Sequence, residues 1–300
     1  MNLGESDHAF GKAVGCLLFA LVSVMVIIEP ARAQQRTSQE DSQPLFVWPF
    51  LYMPLRAPDT EPVTAGAFTV PSGTILPVRL DTSLSAAKSK ARQIISGRVM
   101  QDVPLPDGSK IREGSRLEGH IVEVTPGNSP IGARISIQFD KLRSSRGTIP
   151  ITTSLRAVAG PMEVAEAQIP QSGPGEGDVY NWRTTTQIGG DVKYGVGGPV
   201  TTAENASNIV GSGVDGGVLS RVSAKDGAKC RGAIDGNDKP QALWVFSSDA
   251  CGTYGLEHIH IAHAGRTDPA GVIVLASASD NLKVFAGTGM LLRVRANGRH

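Results

Sequence analysis

From residue 68 to residue 158 the apolar positions recur every second residue, in short runs closed by turn-forming residues. Leu76, Val78 and Leu80 alternate with Pro77 and Arg79. Ile135, Ile137 and Phe139 alternate with Arg134, Ser136, Gln138 and Asp140, and Ile149, Ile151, Thr153 and Leu155 form a further run. Successive side chains of a strand point to opposite faces, so a period of two predicts strands with one face buried. Pro71-Ser72-Gly73, Pro106-Asp107-Gly108, Glu113-Gly114-Ser115 and Pro126-Gly127-Asn128 separate the runs with residues that set or tolerate turn dihedrals. The pattern predicts an all-β protein in which residues 67–159 fold as a small antiparallel barrel or sandwich.

The alternation stops at Gly160. Residues 161–178 hold three prolines, three glycines and four acids, which predicts an acidic Pro/Gly linker over 160–180. Short strand-like runs resume at 184–188, 218–222, 242–246, 258–261, 272–276, 282–285 and 290–294, and predict a second β-rich domain over 181–296. Between 195 and 217 small residues dominate, and a long mobile loop is expected there. Gly211-Ser212-Gly213-Val214-Asp215-Gly216 inside it matches a dinucleotide fingerprint by spacing. That motif requires a buried strand before it and a helix after it, and the sequence predicts neither.

The N-terminal part has a different grammar. An apolar run over 13–28 precedes Ala31-Arg32-Ala33, the pattern of a secretory signal peptide over 1–33 with cleavage before Gln34. The run is shorter than the ~20 residues a bilayer span needs. Residues 34–66 are rich in proline and read as a linker or arm. Leu45-Phe46-Val47-Trp48-Pro49-Phe50-Leu51-Tyr52-Met53 within it is apolar enough to tuck against a domain or to make a membrane or partner contact. The expected location is therefore outside the cytoplasm, in the periplasm or cell envelope.

Charge changes the picture only locally. The whole chain carries a formal +1, so no nucleic-acid partner is expected. Residues 67–159 nevertheless hold thirteen Lys/Arg against seven Asp/Glu, an excess suited to an acidic partner, an anionic lipid or plain solvation. In an exported chain the two cysteines that remain after cleavage, Cys230 and Cys251, predict a disulfide in the second domain.

Candidate chemistry is sparse. His258-Ile259-His260-Ile261-Ala262-His263 is the one cluster with ligating side chains. On a strand His258 and His260 would share a face, and His263 would join them only through a bend at Ala262. An exposed strand face explains the same residues without a metal. No G-x-S-x-G, H-E-x-x-H or G-K-[ST] motif occurs, no catalytic or cofactor-binding residues are assigned, and no cofactor is expected.

Val70-Pro71-Ser72-Gly73-Thr74, Gly97-Arg98-Val99, Glu113-Gly114-Ser115-Arg116-Leu117-Glu118-Gly119 and Gly132-Ala133-Arg134 leading into Phe139-Asp140-Lys141-Leu142 carry a resemblance to a known family. This region resembles the C-terminal β-barrel of the TrbI/VirB10-like conjugation and type IV secretion proteins. The resemblance implies a barrel module in the periplasm or envelope, built for assembly with protein partners. The chain departs from that family in its short lead and signal-like N-terminus. Three functions remain open at this point: a non-enzymatic envelope protein, a metal-dependent exported enzyme using His258 and His260, and a ligand-binding or adhesive module.

Overall fold

The computed structural model describes residues 68–170, 184–223, 239–262, 271–279 and 282–296. The predicted signal segment, the apolar stretch 45–53, His263 and Cys230 lie outside them. No helix among the described residues is long and apolar enough to cross a membrane.

Alternation in the first half becomes strands where it is strongest. β1 (Ile75–Leu80), β2 (Leu84–Ser85), β3 (Ile94–Val99), β4 (Val103–Pro104), β5 (Lys110–Ile111), β6 (Arg116–Thr125) and β7 (Ala133–Ser144) follow one another. The run expected over 149–155 divides into β8 (Gly147–Pro150) and β9 (Thr153–Ala159). The chain there leaves its pairing with β7 and takes up a new partner at the far end of the sequence. Pro161 then opens a short helix, α1 (Pro161–Glu166), where a missing N–H costs nothing because the first helical donors are unpaired anyway.

Beyond the helix come β10 (Thr185–Thr186), β11 (Asp191–Lys193), β12 (Pro199–Thr202), β13 (Asn205–Val214), β14 (Gly217–Ser220) and β15 (Gln241–Ala242). They pair in chain order as a six-stranded antiparallel meander. β16 (Gly252–Tyr254), β17 (Ile259–Ile261), β18 (Ile273–Ser277), β19 (Lys283–Val284) and β20 (Gly289–Val294) complete the chain.

The main sheet has the order β16-β9-β20-β1-β3-β6-β7-β18-β17, with β8 also on β7. All neighbours are antiparallel except β16 and β9. Its two end strands, β16 and β17, are joined only by residues 255–258, and the sheet curls into a half-barrel. The concave face is filled by Leu76, Val78, Ile95, Leu117, Ile137, Phe139, Leu292 and their neighbours, all buried. A second core lies on the opposite face, where Ile75, Ala157, Ala159 and Leu291 point away from the first. Val164 of α1, Val200 and Val218 of the meander, and Leu243-Trp244-Val245-Phe246 cover that face.

The structure differs from the sequence pattern in three places. The segment 160–180 does not separate the strands into two domains. β16, β17, β18 and β20 belong to the same sheet as β1 to β9, and residues 64–300 form one unit. Strand β20 sits between β9 and β1, a pairing of distant residues to which a pattern read along the chain is blind. The stretch 195–217 is not a loop, since β12, β13 and the start of β14 lie in it. Its small residues allow close approach instead: a Cβ on Gly217 would fall 2.5 Å from the Cα of Trp244. Finally, the run 242–246 is not a strand beyond Ala242, because Trp244 at φ 54° turns the chain and buries its apolar residues as a turn. An apolar run of that length does not distinguish the two by period alone.

Candidate functional site

The outer face of β1, β3, β6 and β7 is the feature that burial does not explain. Along these strands the inward positions are core residues; of the positions between them Ile75, Pro77, Ser96 and Ser136 are buried too, while Arg79, Arg98, Arg116 and Arg143 are exposed. The register aligns four of those outward positions directly: Arg79 opposes Arg98, Arg98 opposes Arg116, and Arg116 opposes Arg143. The result is a row of four exposed arginines running across four adjacent strands. Exposed Thr148 on β8 continues it.

Like charges directly opposite one another destabilise a sheet. Two guanidinium groups ~6 Å apart in water repel by about 0.7 kcal/mol, and the row contains three such neighbouring pairs. Two carboxylates in the next row brace it. Asp81 accepts from Nε of Arg98 at 3.1 Å, and Glu118 lies 2.9 Å from Arg143 and 3.7 Å from Arg116. Side-chain exposure is 59, 56 and 57% for Arg98, Arg116 and Arg143 but 27 and 21% for Asp81 and Glu118, so the outermost layer is cationic. Arg79 makes no ion pair among the described residues. Lys141, opposite Glu118, adds a further exposed cation.

Two walls bound the strip. On one side the row of Asp81, Ser96, Glu118 and Lys141 is followed by a shallow cleft of about 250 Å³ lined by Ile94, Glu118, His120 and Asp140. His120 Nδ1 lies 3.1 Å from Asp140 in that cleft. On the other side Met100 packs against the second core. The turn between β13 and β14 approaches here, a Cβ on Gly216 falling 3.5 Å from the Met100 carbonyl and 3.4 Å from the Glu113 carboxylate.

The histidine cluster is arranged differently from the expectation. His258 is not on a strand: it sits in the turn before β17 at φ 64°, and only His260 of the pair lies on β17. The shared strand face that would bring the two imidazoles together is therefore lost. Among the described residues no group of three or more His, Cys, Asp or Glu is placed to hold a metal ion. Cys251 lies next to β16, where its N–H donates to the hydroxyl of Tyr254 at 3.0 Å. It has a further partner, but with Cys230 outside the described residues a disulfide-containing second domain is not part of the observed fold.

Beneath the meander two arginines are buried, Arg156 on β9 and Arg293 on β20. Arg156 occupies a bulge, the extra residue between the Leu291–Ala157 and Leu292–Leu155 pairs. Burial, and then the charge of Arg293, push its pKa down to about 10, against the pull of Asp249 and Tyr254. It donates to the Ser223 carbonyl, and both arginines have other partners. Arg156 thereby ties the segment after β14 to the sheet, and neither arginine faces solvent.

The arginine row was not legible as a unit. Its members are scattered through the chain, and what is visible in sequence is their flanks: Val78 and Leu80 around Arg79, Val99 after Arg98, Leu117 after Arg116, Leu142 before Arg143. Together with the local basic excess, those flanks mark outward cations, while the register that aligns them comes from long-range pairing. Compared with known proteins, the chain matches no family model and no curated protein.

Proposed function

We propose that this protein is an exported, non-enzymatic component of the cell envelope whose half-barrel docks a protein partner through the arginine row. The observation that carries the reading is the alignment of Arg79, Arg98, Arg116 and Arg143 on an open sheet face. Such a row costs stability through its own repulsion and is braced only in part, which favours a surface kept for recognition over one kept for folding. The face is shallow and exposed, which suits docking better than the enclosure catalysis needs. The Ala31-Arg32-Ala33 pattern supports export, and the resemblance to the TrbI/VirB10-like barrel supports an assembly role. A Cys230–Cys251 bridge belongs to the same proposal, as does periplasmic or envelope location.

Two experiments test it. N-terminal sequencing of protein from its native host should begin at Gln34, and an intact Met1 would contradict cleavage. A photo-crosslinking residue in place of Thr148, at the end of the row, should give protein adducts in intact cells. Adducts unaffected by Arg98→Glu with Arg116→Glu would remove the row from the docking surface.

A further inference from the structure

The shape of the cationic strip narrows the kind of partner. Over β1, β3 and β6 it is one residue wide, because the neighbouring row there presents Asp81 and Glu118 and the other side ends at Met100 and the β13–β14 turn; over β7 exposed Lys141 widens it. Adjacent strands are ~4.8 Å apart, so four aligned arginines span ~14 Å across the sheet. An extended peptide at ~3.4 Å per residue covers that length with four or five residues. A broad anionic surface such as a bilayer would meet the two carboxylates as well as the arginines, and it would meet the outer, convex side of a curled sheet. A single anionic chain lying across the strands meets the arginines, with Lys141 beside Arg143, and avoids lying on the two carboxylates.

Arginine suits this use. Its planar guanidinium presents paired donors that match a carboxylate in bidentate geometry, and Asp81 and Glu118 fix Arg98, Arg116 and Arg143 before a ligand arrives. Arg79 makes no ion pair among the described residues and supplies an uncommitted cation at one end of the strip.

We infer that the arginine row binds an extended acidic segment of a partner protein, rich in Asp and Glu, laid perpendicular to β1, β3, β6 and β7. This inference rests on the docking reading and adds the partner's chemistry to it.

The test uses the full chain and a fluorescent oligo-glutamate peptide of about eight residues, enough to overrun the ~14 Å strip, followed by anisotropy. The peptide should bind, and binding should weaken as salt is raised. Arg98→Gln with Arg116→Gln should weaken it by about tenfold or more, the loss expected when two charge-assisted contacts go. Arg98→Lys with Arg116→Lys keeps the charge without the fork and should retain part of the affinity. Arg134→Gln, the loss of one cation at the other end of β7, should leave it unchanged. Equal binding of an oligo-glutamine peptide, or an equal loss from Arg134→Gln, overturns the inference. So does arginine-dependent binding of phosphatidylcholine vesicles containing phosphatidylglycerol in place of the peptide. If row-dependent Thr148 adducts form in cells while the peptide is not bound, the partner chemistry is wrong and docking stands. If neither occurs, both readings fall.

Discussion

Gln101 is fully buried where the chain leaves β3, and it joins the half-barrel to the meander with two hydrogen bonds. Its Oε1 accepts the Trp244 N–H at 2.6 Å, and its Nε2 donates to the Val218 carbonyl at 2.9 Å. Gln101→Leu keeps the volume roughly constant and removes both. The two lost partners fare differently. The Val218 carbonyl still accepts from the Leu243 N–H at 3.0 Å, whereas the Trp244 N–H is left buried without an acceptor. An orphaned buried donor costs about 1–3 kcal/mol, and losing the second bond adds about 0.5–1.5 kcal/mol. Gln101→Leu should therefore lower stability by about 1.5–4.5 kcal/mol in urea unfolding followed by tryptophan fluorescence, with Trp244 buried at the joint. The wild-type transition should be single, because β20 lies inside the sheet that β1 and β9 build. A loss below about 0.5 kcal/mol would refute the view that this side chain fastens the meander. Two separated wild-type transitions would refute the single-unit reading.

Other predictions concern charge, the cysteines and the histidines. Asp102 is held below the usual carboxylate range, first by the hydrogen bond from Lys110, and burial only partly opposes this. A depressed folded pKa stabilises above the unfolded carboxylate value near ~4 and is lost as pH falls through the folded one. Asp102→Asn should flatten that acid limb in melting temperature against pH, by no more than about 1 kcal/mol for so exposed a pair; an unchanged limb would contradict it. Peptide mapping without reductant should find the Cys230 and Cys251 peptides linked, and replacing both with Ala should cost roughly 3 kcal/mol. Free thiols in fresh protein would rule the bridge out. His258 holds a left-handed backbone that glycine adopts without penalty, so His258→Gly should be neutral or stabilising by up to about 1 kcal/mol. Elemental analysis finding one transition metal per chain, lost with that substitution, would restore the metal reading.

What the sequence revealed of the fold follows the range of each interaction. Leu76, Val78 and Leu80, or Ile135, Ile137 and Phe139, announce their strands because burial alternates locally. Glu113-Gly114 and Asp107-Gly108 announce turns because glycine takes the positive φ observed at 114 and 108. Nothing local says that Met290 will face Val78, or that Leu291 will turn its back on the first core to build a second. A break in patterning at 160–180 therefore looked like a boundary, although the chain returns to the same sheet. The small residues of 195–217 have two explanations, mobility and close packing, and composition does not separate them. The candidate site shared this fate. Each arginine is recognisable as an outward strand position, but their alignment is a product of register, and register comes from pairing across the sheet.

If the arginine row serves recognition and not stability, reversing its charge should break an assembly and leave the fold intact. Wild type and Arg98→Glu with Arg116→Glu are extracted gently from the native envelope, sized by gel filtration, and melted after purification. Wild type should elute in an assembly larger than one chain, the variant should elute alone, and the melting temperatures should stay close, as for exposed charges. A variant that keeps the wild-type assembly size, or that falls apart because it no longer folds, would contradict the claim.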